Sequence, residues 1–543
     1  MMKRMRGLID MPVRDYVSRL LICIFFMAIY TIASLAFPSF ITIIIDKGVS
    51  ANNTGNIILY SCEMLGVGVI MIVFQYLQRM GFYKLAQRII LSLKEKLVKK
   101  ILLTNLNFWK EHKAGDIFTI LESDVAQLET IFTTTISDIL VNFFVVIGIS
   151  GYLIYIDRVI GILVVFLAVT FSFVQRKIGK KIELSMYELR EKVGDLSSYT
   201  NEILNNVISI QGSDFGKIVT GKYNKKNKEV IVSSIHQLKI ISYTQIVGMV
   251  FNTLGIFIVL IVGAMRVRLG TMSIGLLFSL TIYVQRVYGP VVSLGDAYIT
   301  IRNTIPIIDK VYAVLGTEEL IKSGNKRKDN SAEGKIEFRD ITFAYDKSER
   351  GGVFSNLNII AKPGQNIGIV GENGSGKTTL LKLLMRVCEP DQGKILLDDI
   401  DIKEYELEYF REQFAYMLQN PYLMSGKLRD ILNPFGKNIA DVQINQMIAY
   451  FELNMERFEQ GLDTEIGENK LDISGGEAQK ISLIRLFLEE KPVYILDEPT
   501  AAIDIESENL ICDKLKNLLQ GKTAFIITHR EKILEICDDV YRL

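Results

Sequence analysis

The sequence predicts two domains of different class: a membrane-embedded all-α domain with six helices, then an α/β domain of the P-loop type. Six long stretches with few charges lie before residue 310. A glycine-rich motif with P-loop spacing follows a short apolar run further along the chain. Between them, a segment rich in charge, Gly, Asn and Ser has no aromatic residue and is typical of a linker. We therefore expect a transmembrane domain at 1–315, a linker at 316–334 and an α/β domain at 335–543.

Length and composition limit the class of protein. With 543 residues, the chain is too long for one hydrophobic core and suggests about three domain-sized units. Lysine and arginine number 62 against 61 acidic residues, a balance that argues against nucleic-acid binding. The five cysteines form no C-x-x-C pair and the three histidines are scattered, so neither a disulfide framework nor a zinc site is indicated.

The first apolar stretch is long enough to cross a membrane. It runs from Leu20 to Ile45 without a charge, about 39 Å as a helix against a hydrocarbon core of roughly 30 Å. A signal peptide is the alternative because basic residues precede the run, but the run is too long and lacks a cleavage-like site. Five further stretches have few charges: 57–78, 139–156, 159–175, 240–265 and 269–295. Glu63 interrupts the second span and Arg286 the sixth. Because an ionisable residue inside a span is a candidate functional group, Glu63 is such a candidate, and a solvated position near the outer interface is the equal alternative.

The connections between the spans predict the topology. The long connections at 79–138 and 176–239 carry most of the lysines, so the positive-inside rule places them and both termini in the cytosol. Both connections have helical apolar spacing, which predicts that the spans continue as helices beyond the membrane. We expect a multi-pass protein of the cell membrane, in contact with lipid. The scarcity of proline and abundance of Lys, Ile and Asn are consistent with a bacterial source.

Residues 371–380, GENGSGKTTL, contain the P-loop pattern G-x-x-x-x-G-K-[ST]. An apolar run at 367–370 precedes the motif and a leucine-spaced stretch follows it, as expected for strand, turn and helix. A structural glycine-rich turn with a stray lysine is the alternative, which this order of elements disfavours. Because the amide groups of such a turn surround phosphate oxygens, the motif predicts a nucleotide-binding domain. The expected phosphate-binding residues are Gly371, Asn373, Gly374, Ser375, Gly376, Lys377, Thr378 and Thr379.

A second motif, VYILDE at 493–498, predicts a buried strand that ends in two carboxylates. Beside a P-loop, Asp497 is expected to hold Mg²⁺ directly or through water, and Glu498 to polarise an attacking water. An acidic strand end that only starts the turn before Pro499 is the alternative.

Upstream, Ser474 and Glu477 form the S-x-x-E pattern of a capping box, which places amide groups at a helix N-terminus where a second phosphate can bind. A capped helix without such a role would explain these two residues. It would not explain Gly475 and Gly476, each of which lowers helix stability by about 1 kcal/mol relative to alanine.

In this order the motifs resemble those of an ABC transporter half-molecule of the exporter type, and the likeness covers nearly all of the chain. GENGSGKT resembles the Walker A motif, VYILDE the Walker B motif and ISGGE the signature LSGGQ. The resemblance implies that Tyr345 stacks on adenine, that Asp504 belongs to the D-loop and that His529 contacts the γ-phosphate. It also implies catalytic roles for Glu498, His529 and Gln419, and Mg²⁺ ligation by Thr378, Gln419 and Asp497.

The resemblance also implies the activity: ATP-driven efflux by a dimer in which two cassettes enclose ATP between the P-loop of one chain and the signature of the other. The second half-transporter can be an identical or a different chain, the latter as in heterodimeric multidrug exporters. A peptide or lipid-like amphiphile is the favoured substrate. An ATP-gated channel or sensor that does not transport is the alternative on the same scaffold. Glu477 stands where the family usually has Gln, and a carboxylate near phosphate would weaken ATP binding.

Overall fold

A computed structural model describes residues 13–318, 320–345, 352–467, 470–471, 473–501, 503 and 505–543. The chain divides into two compact units. The first comprises His112–Thr317 and the described part of Met1–Leu102, and the second comprises Leu103–Glu111 and the described part of Glu318–Leu543. The predicted first domain was continuous from 1 to 315, whereas the observed division assigns Leu103–Glu111 to the second unit.

The first unit consists mainly of long α-helices. Five helical segments are long and apolar enough to cross a membrane, counted over the described residues: Val17–Val49, Thr54–Leu102, Ala114–Ile156, Arg158–Asn205 and Gly216–Arg268. The sixth predicted span coincides with a helix at Ile274–Gly316, in which Gln285, Arg286 and two prolines reduce the apolar content. That this helix also crosses the membrane stays a prediction.

The helices α1 to α10 have the following bounds: α1 Val13–Ile43, α2 Thr54–Leu102, α3 Leu106–Glu111, α4 Ala114–Thr119, α5 Val125–Thr130, α6 Ile136–Ile156, α7 Arg158–Asn205, α8 Val207–Gln211, α9 Gly216–Arg268 and α10 Ile274–Gly316. Short π-helical turns at Ile44–Val49, Ile120–Asp124 and Ile131–Thr135 continue α1, α4 and α5. Helices α2, α7 and α9 contain 49, 48 and 53 residues. At 1.5 Å per residue each is about 70–80 Å long, more than twice the hydrocarbon thickness. The predicted continuation of the spans as long helices is therefore confirmed.

Hydroxyl groups join α1, α6 and α10 near a proline. The Ser39 hydroxyl of α1 lies 2.8 Å from the hydroxyls of both Tyr152 on α6 and Tyr283 on α10. Pro38, inside α1, has no amide hydrogen to donate to the carbonyl four residues earlier. Around these polar groups, the three helices and α7 share an apolar core that includes the buried rings of Phe171 and Tyr288.

Two carboxylates hold the short connections between helices. Asp157 is the N-cap of α7, accepting hydrogen bonds from the amides of Val159 and Ile160 at 3.0 Å, and it forms an ion pair with Arg266 at the end of α9. Asp46 accepts a hydrogen bond of 2.9 Å from the amide of Gly275 in the first turn of α10. Each carboxylate satisfies amides at a helix start that have no partner within the helix.

The second unit has the α/β architecture that the sequence predicts. Its strands are β1 Ile336–Phe343, β2 Phe354–Ala361, β3 Asn366–Val370, β4 Gln392–Leu397, β5 Ile400–Asp401, β6 Phe414–Met417, β7 Gly426–Lys427, β8 Glu465–Ile466, β9 Val493–Asp497, β10 Thr523–Ile527 and β11 Asp539–Arg542. Its helices are α11 Lys377–Leu384, α12 Leu407–Glu412, α13 Leu428–Leu432, α14 Asp441–Tyr450, α15 Gly475–Leu488, α16 Ile505–Leu518 and α17 Glu531–Leu534. Strands in the order β11-β3-β10-β9-β6 form a parallel sheet, and β2-β1-β4-β5 form an antiparallel sheet.

The segment Leu103–Glu111 pairs with the chain that follows α10. The amide of Ile321 donates to the carbonyl of Leu103 at 2.9 Å, and Thr104 bridges Leu320. Leu106 packs against the apolar cluster between the two larger sheets, and Phe108 is buried. The predicted linker at 316–334 thus contains residues that pair with this earlier segment.

We expect Asp157→Ala to lower the free energy of unfolding by about 1–3 kcal/mol, because it removes a helix cap and leaves Arg266 without its carboxylate. The measurement is the midpoint of thermal unfolding of the purified protein in detergent. Asp214→Ala, at an exposed position of the same unit, is the control. Equal midpoints for the two variants would contradict the role assigned to Asp157.

Candidate nucleotide site

The turn between β3 and α11 adopts a backbone that requires glycine. Gly374 and Gly376 have φ of +88° and +101°, in the left-handed region that side chains disfavour. A Cβ atom at Gly376 would lie 2.6 Å from Cγ1 of Val353, and one at Gly371 would lie 2.5 Å from Oγ of Ser375. Steric constraints therefore explain why the motif has glycine at these positions.

Polar groups line this turn. The Lys377 ammonium donates to the carbonyls of Gly371 and Glu372 at 2.6 and 3.0 Å, so it lies against the backbone of the loop. The Ser375 hydroxyl is buried and has no hydrogen-bond partner among the described residues. Helix α11 begins at Lys377, and its first amides have no partner within the helix. A lysine, a buried hydroxyl and free amides are the groups that bind a phosphate chain.

Tyr345 lies beside the same helix. Its hydroxyl is 3.0 Å from the hydroxyl of Thr379, and its ring meets Phe343 edge to face at 5.1 Å. Lys110 donates to the carbonyl of Tyr345 and lies 5.2 Å from its ring centroid. Stacking of Tyr345 on adenine stays a prediction, but its position next to Thr379 is compatible with it. The contact with Lys110 had no sequence signal because 235 positions separate the two residues.

Asp497 ends β9 with its side chain buried. Burial raises the pKa of Asp497, and the neighbouring Glu498 raises it further, while a hydrogen bond from the backbone of Gln419 and the charge of Lys377 oppose that rise. Of the predicted site residues, Gln419 therefore contacts Asp497 through its backbone, and Lys377 lies near enough for its charge to act on Asp497.

Glu498 has an unusual backbone for its residue type. Its φ is +49°, which costs a residue other than glycine about 1 kcal/mol and is frequent at functional sites. Its amide donates to the carbonyl of Ile527 at 2.9 Å, which fixes the turn to the end of β10. The carboxylate Oε1 lies 3.8 Å from Nε2 of His529. The structure thus brings together the two residues predicted to act on the attacking water and the γ-phosphate.

The predicted capping box at the start of α15 is confirmed. The amide of Glu477 donates to Oγ of Ser474 at 3.3 Å, and Oε2 of Glu477 accepts from the Ser474 amide at 2.9 Å. The Ser474 hydroxyl also donates to the same carboxylate oxygen at 2.8 Å. Among the described residues, no hydrogen bond or ion pair joins Ser474–Glu477 to the loop at 371–379. The last predicted site residue, Asp504, lies outside the described residues.

Arg457 pairs with Glu477, which the sequence analysis missed. One guanidinium nitrogen lies 2.7 Å from Oε2 of Glu477. Burial alone would raise the pKa of Glu477, but the bonds from Ser474 and the charge of Arg457 lower it below its ordinary value. The carboxylate is therefore ionised at neutral pH, and its charge is paired. That Glu477 weakens ATP binding stays a prediction, and the charge on which that prediction rested is paired with Arg457.

Comparison with known proteins identifies two matching regions. A family model described as the ABC transporter transmembrane region matches residues 20–291, and one described as ABC transporter matches residues 354–501. The second match includes the turn at 371–379, Ser474–Glu477 and the carboxylates after β9.

Curated relatives match over most of their length. The ATP-dependent lipid A-core flippase of Idiomarina loihiensis is 28% identical over 99% of this chain and 92% of that protein. The protein of the same name from Alcanivorax borkumensis is 28% identical over 87% of this chain and 82% of its own. The ATP-dependent permease MDL1 of Candida albicans is 28% identical over 84% of this chain and 68% of that protein.

We expect Arg457→Met to raise the KM for ATP about two- to fivefold with little change in kcat, because the charge of Glu477 is then unpaired at a helix start that is predicted to bind phosphate. The size is that of a partly exposed ion pair, roughly 0.5–1 kcal/mol. The measurement is the ATPase rate as a function of ATP concentration. Lys480→Met, which removes a positive charge from the helix that contains Glu477, is the control.

The double variant Arg457→Met with Glu477→Gln is expected to recover a KM near that of Glu477→Gln alone, since no charge is left to compensate. If Arg457→Met raises KM equally in both backgrounds, the arginine acts through some contact other than Glu477.

Proposed function

The chain belongs to the ABC transporter family, as a membrane-embedded half-transporter of the exporter type that couples ATP hydrolysis to transport, and we propose that it carries an amphiphile of lipid-like or peptide type out across a bacterial cytoplasmic membrane. The observation that supports this most is the short distance, 3.8 Å, between Glu498 and His529 at the end of the same sheet as the P-loop. A site with these groups is equipped for repeated hydrolysis, which a pump requires.

We assign the steps of hydrolysis to residues of this chain. Lys377 and the free amides of α11 hold the β- and γ-phosphates. Glu498 accepts the proton of the attacking water, and His529 contacts the γ-phosphate from the adjacent strand end. The left-handed backbone at Glu498 and its hydrogen bond to Ile527 hold this residue at the end of β10. Preorganised groups of this kind stabilise the transition state without reorganising during the reaction.

The residues around Asp497 suit Mg²⁺. Thr378, Gln419 and Asp497 would hold the ion, and all three offer the oxygen atoms that this cation prefers. The buried carboxylate of Asp497 lacks a lysine or arginine ion pair within the described chain, so a cation would satisfy its charge. When bound, the ion neutralises charge on the phosphates and orients them.

Two chains are needed in this proposal. Within one chain, no bond among the described residues links the helix start at Ser474 to the loop at 371–379. We infer that the Ser474 helix of a second half-transporter, identical or different, completes the site, so that ATP binding closes the pair and hydrolysis releases it. Loss of the γ-phosphate would leave helix N-termini of both chains without their anion, which explains why the closed state ends with hydrolysis.

The names of two relatives and the distribution of lysines support the proposed substrate class and orientation. Two of the relatives described above are named lipid A-core flippases, and this supports a lipid-like amphiphile as the substrate that we propose for this chain. The lysines of the long connections support cytosolic termini.

We expect Glu498→Gln to retain ATP binding while turnover falls at least about a hundredfold, the size associated with loss of a general base. Binding is measured with a fluorescent ATP analogue and turnover by phosphate release. Glu535→Gln, at an exposed position near the same end of the chain, is the control. A Glu498→Gln protein that hydrolyses ATP at the wild-type rate would remove Glu498 from this role.

Transport itself is tested in inside-out vesicles. We expect ATP-dependent uptake of a fluorescent anionic lipid analogue or amphiphilic peptide, abolished by Lys377→Ala because the phosphates lose their main cation. ATPase activity without uptake of either class of compound would instead favour the ATP-gated channel or sensor.

A further inference from the structure

Arg286 is a charged residue deep in the membrane unit. It lies twelve positions after the first residue of α10, about 18 Å along the helix axis. In the predicted sixth span, this depth is close to the middle of a hydrocarbon core of roughly 30 Å. A charged group at that level is costly unless it is paired or lines a polar cavity, and it then marks a substrate pathway.

One hydrogen bond of Arg286 has a structural explanation. Its guanidinium donates to the carbonyl of Ser34 at 3.1 Å, with a longer contact of 3.5 Å to the Ser34 hydroxyl. Ser34 lies four residues before Pro38, so its carbonyl is the one that loses its helical donor. Arg286 thus replaces, from another helix, the hydrogen bond that the proline removes. A neutral amide side chain is sufficient for this task, so the bond does not explain the charge.

The positive charge of Arg286 is not neutralised within the described part of the chain. No Asp or Glu forms an ion pair with it there, and its other close neighbour is the ring of Phe37, 5.3 Å from the guanidinium carbon. Arginine has five N–H donors. Only NH1 is engaged by protein atoms, and the remaining nitrogens are not among the buried unpaired atoms, so they are accessible. The side chain is anchored at one nitrogen and exposes the others.

The backbone next to Arg286 also loses a helical hydrogen bond. Pro290 in the next turn removes the helical donor to the carbonyl of Arg286 itself. A free carbonyl at membrane depth is tolerated where it faces protein or a water-filled space. Gln285 and Gly289, on either side of this turn, are exposed on the single chain. The Arg286 guanidinium, the Gln285 side-chain amide and a carbonyl without its helical donor therefore lie in one short stretch of α10.

We propose that Arg286 binds the anionic head group of the transported substrate, which is an anionic lipid-like amphiphile with a phosphate or carboxylate group. This inference rests on the proposed export function and narrows its substrate class. A guanidinium binds such groups through two parallel hydrogen bonds, and the low dielectric of the membrane strengthens the attraction. Phe37, whose ring lies 5.3 Å from the guanidinium carbon, provides a contact for an alkyl chain. An anionic amphiphile would place its charged head group at Arg286 and its alkyl chain against Phe37.

The test compares three amphiphiles with the same dodecyl chain: dodecyl phosphate, dodecyl maltoside and dodecyltrimethylammonium. The protein is reconstituted in nanodiscs of zwitterionic lipid, and each compound is titrated below its micelle concentration. Two readouts are taken, namely ATPase stimulation and thermal stabilisation without ATP, which reports binding alone. Wild type is expected to respond to dodecyl phosphate at the lowest concentration.

Arg286→Gln keeps a hydrogen-bond donor for the Ser34 carbonyl but loses the positive charge. It therefore separates binding of the anionic head group from the structural hydrogen bond to α1. It is expected to raise the half-maximal concentration of dodecyl phosphate at least about tenfold, as for loss of a charge-assisted hydrogen bond, and to leave the response to dodecyl maltoside unchanged. Arg286→Lys, which keeps charge and donor, is expected to stay within about threefold of wild type. Arg268→Gln, an exposed arginine at the end of α9, is the control.

Three results would overturn the proposal: no preference of the wild type for the anionic compound, an unchanged response of Arg286→Gln, or competition by inorganic phosphate alone, which would indicate a site for free anions. A response to an acidic apolar peptide that depends on Arg286, with dodecyl phosphate inactive, would replace the lipid-like class by peptides. Basal ATPase activity is measured in the same nanodiscs. Its absence from the wild type would contradict the export function, whereas its presence without charge preference would contradict only this inference.

Discussion

The parallel pairing of β3, β10 and β9 is the constraint on which the nucleotide site depends. Ile527 is in register with both Ile369 and Asp497, so the three strands end at nearly the same level. Parallel strands present their carboxyl ends at one edge, where ligands bind in open α/β sheets. The P-loop, Glu498 and His529 each follow one of these ends, which is how residues more than 150 positions apart come to lie at one edge of the sheet.

Much of this site was predictable because its signals are local. The P-loop and the capping box each occupy fewer than ten consecutive residues, and their chemistry follows from backbone amides that glycine or a capped helix leaves free. The ion pair between Arg457 and Glu477 and the contact between Lys110 and Tyr345 were not predictable. They join side chains from different elements, and no periodicity or motif specifies which surfaces meet.

In the membrane unit, too, the sequence predicted local elements but not the contacts between them. Hydropathy predicted the long helices, because apolar length is a property of consecutive residues. It did not predict that Arg286 would meet the Ser34 carbonyl, since that bond depends on how α10 packs against α1 beside Pro38. The sequence marked Arg286 only as an interruption of an apolar run. One role of Arg286 follows from the packing, since it donates to the carbonyl that Pro38 leaves without a helical donor. The second role, binding of the anionic substrate, is our proposal.

The pairing of Leu103–Glu111 with the chain after α10 affects the order of biosynthesis. This segment leaves the ribosome about 200 residues before Leu320 and β1, a delay of roughly 10–40 s at common rates of translation. During that interval Phe108 is without the fold that buries it. The second unit consequently cannot complete its fold until the whole membrane region has been synthesised. A protein expressed from residue 335 onward would lack the segment Leu103–Glu111, which belongs to this unit.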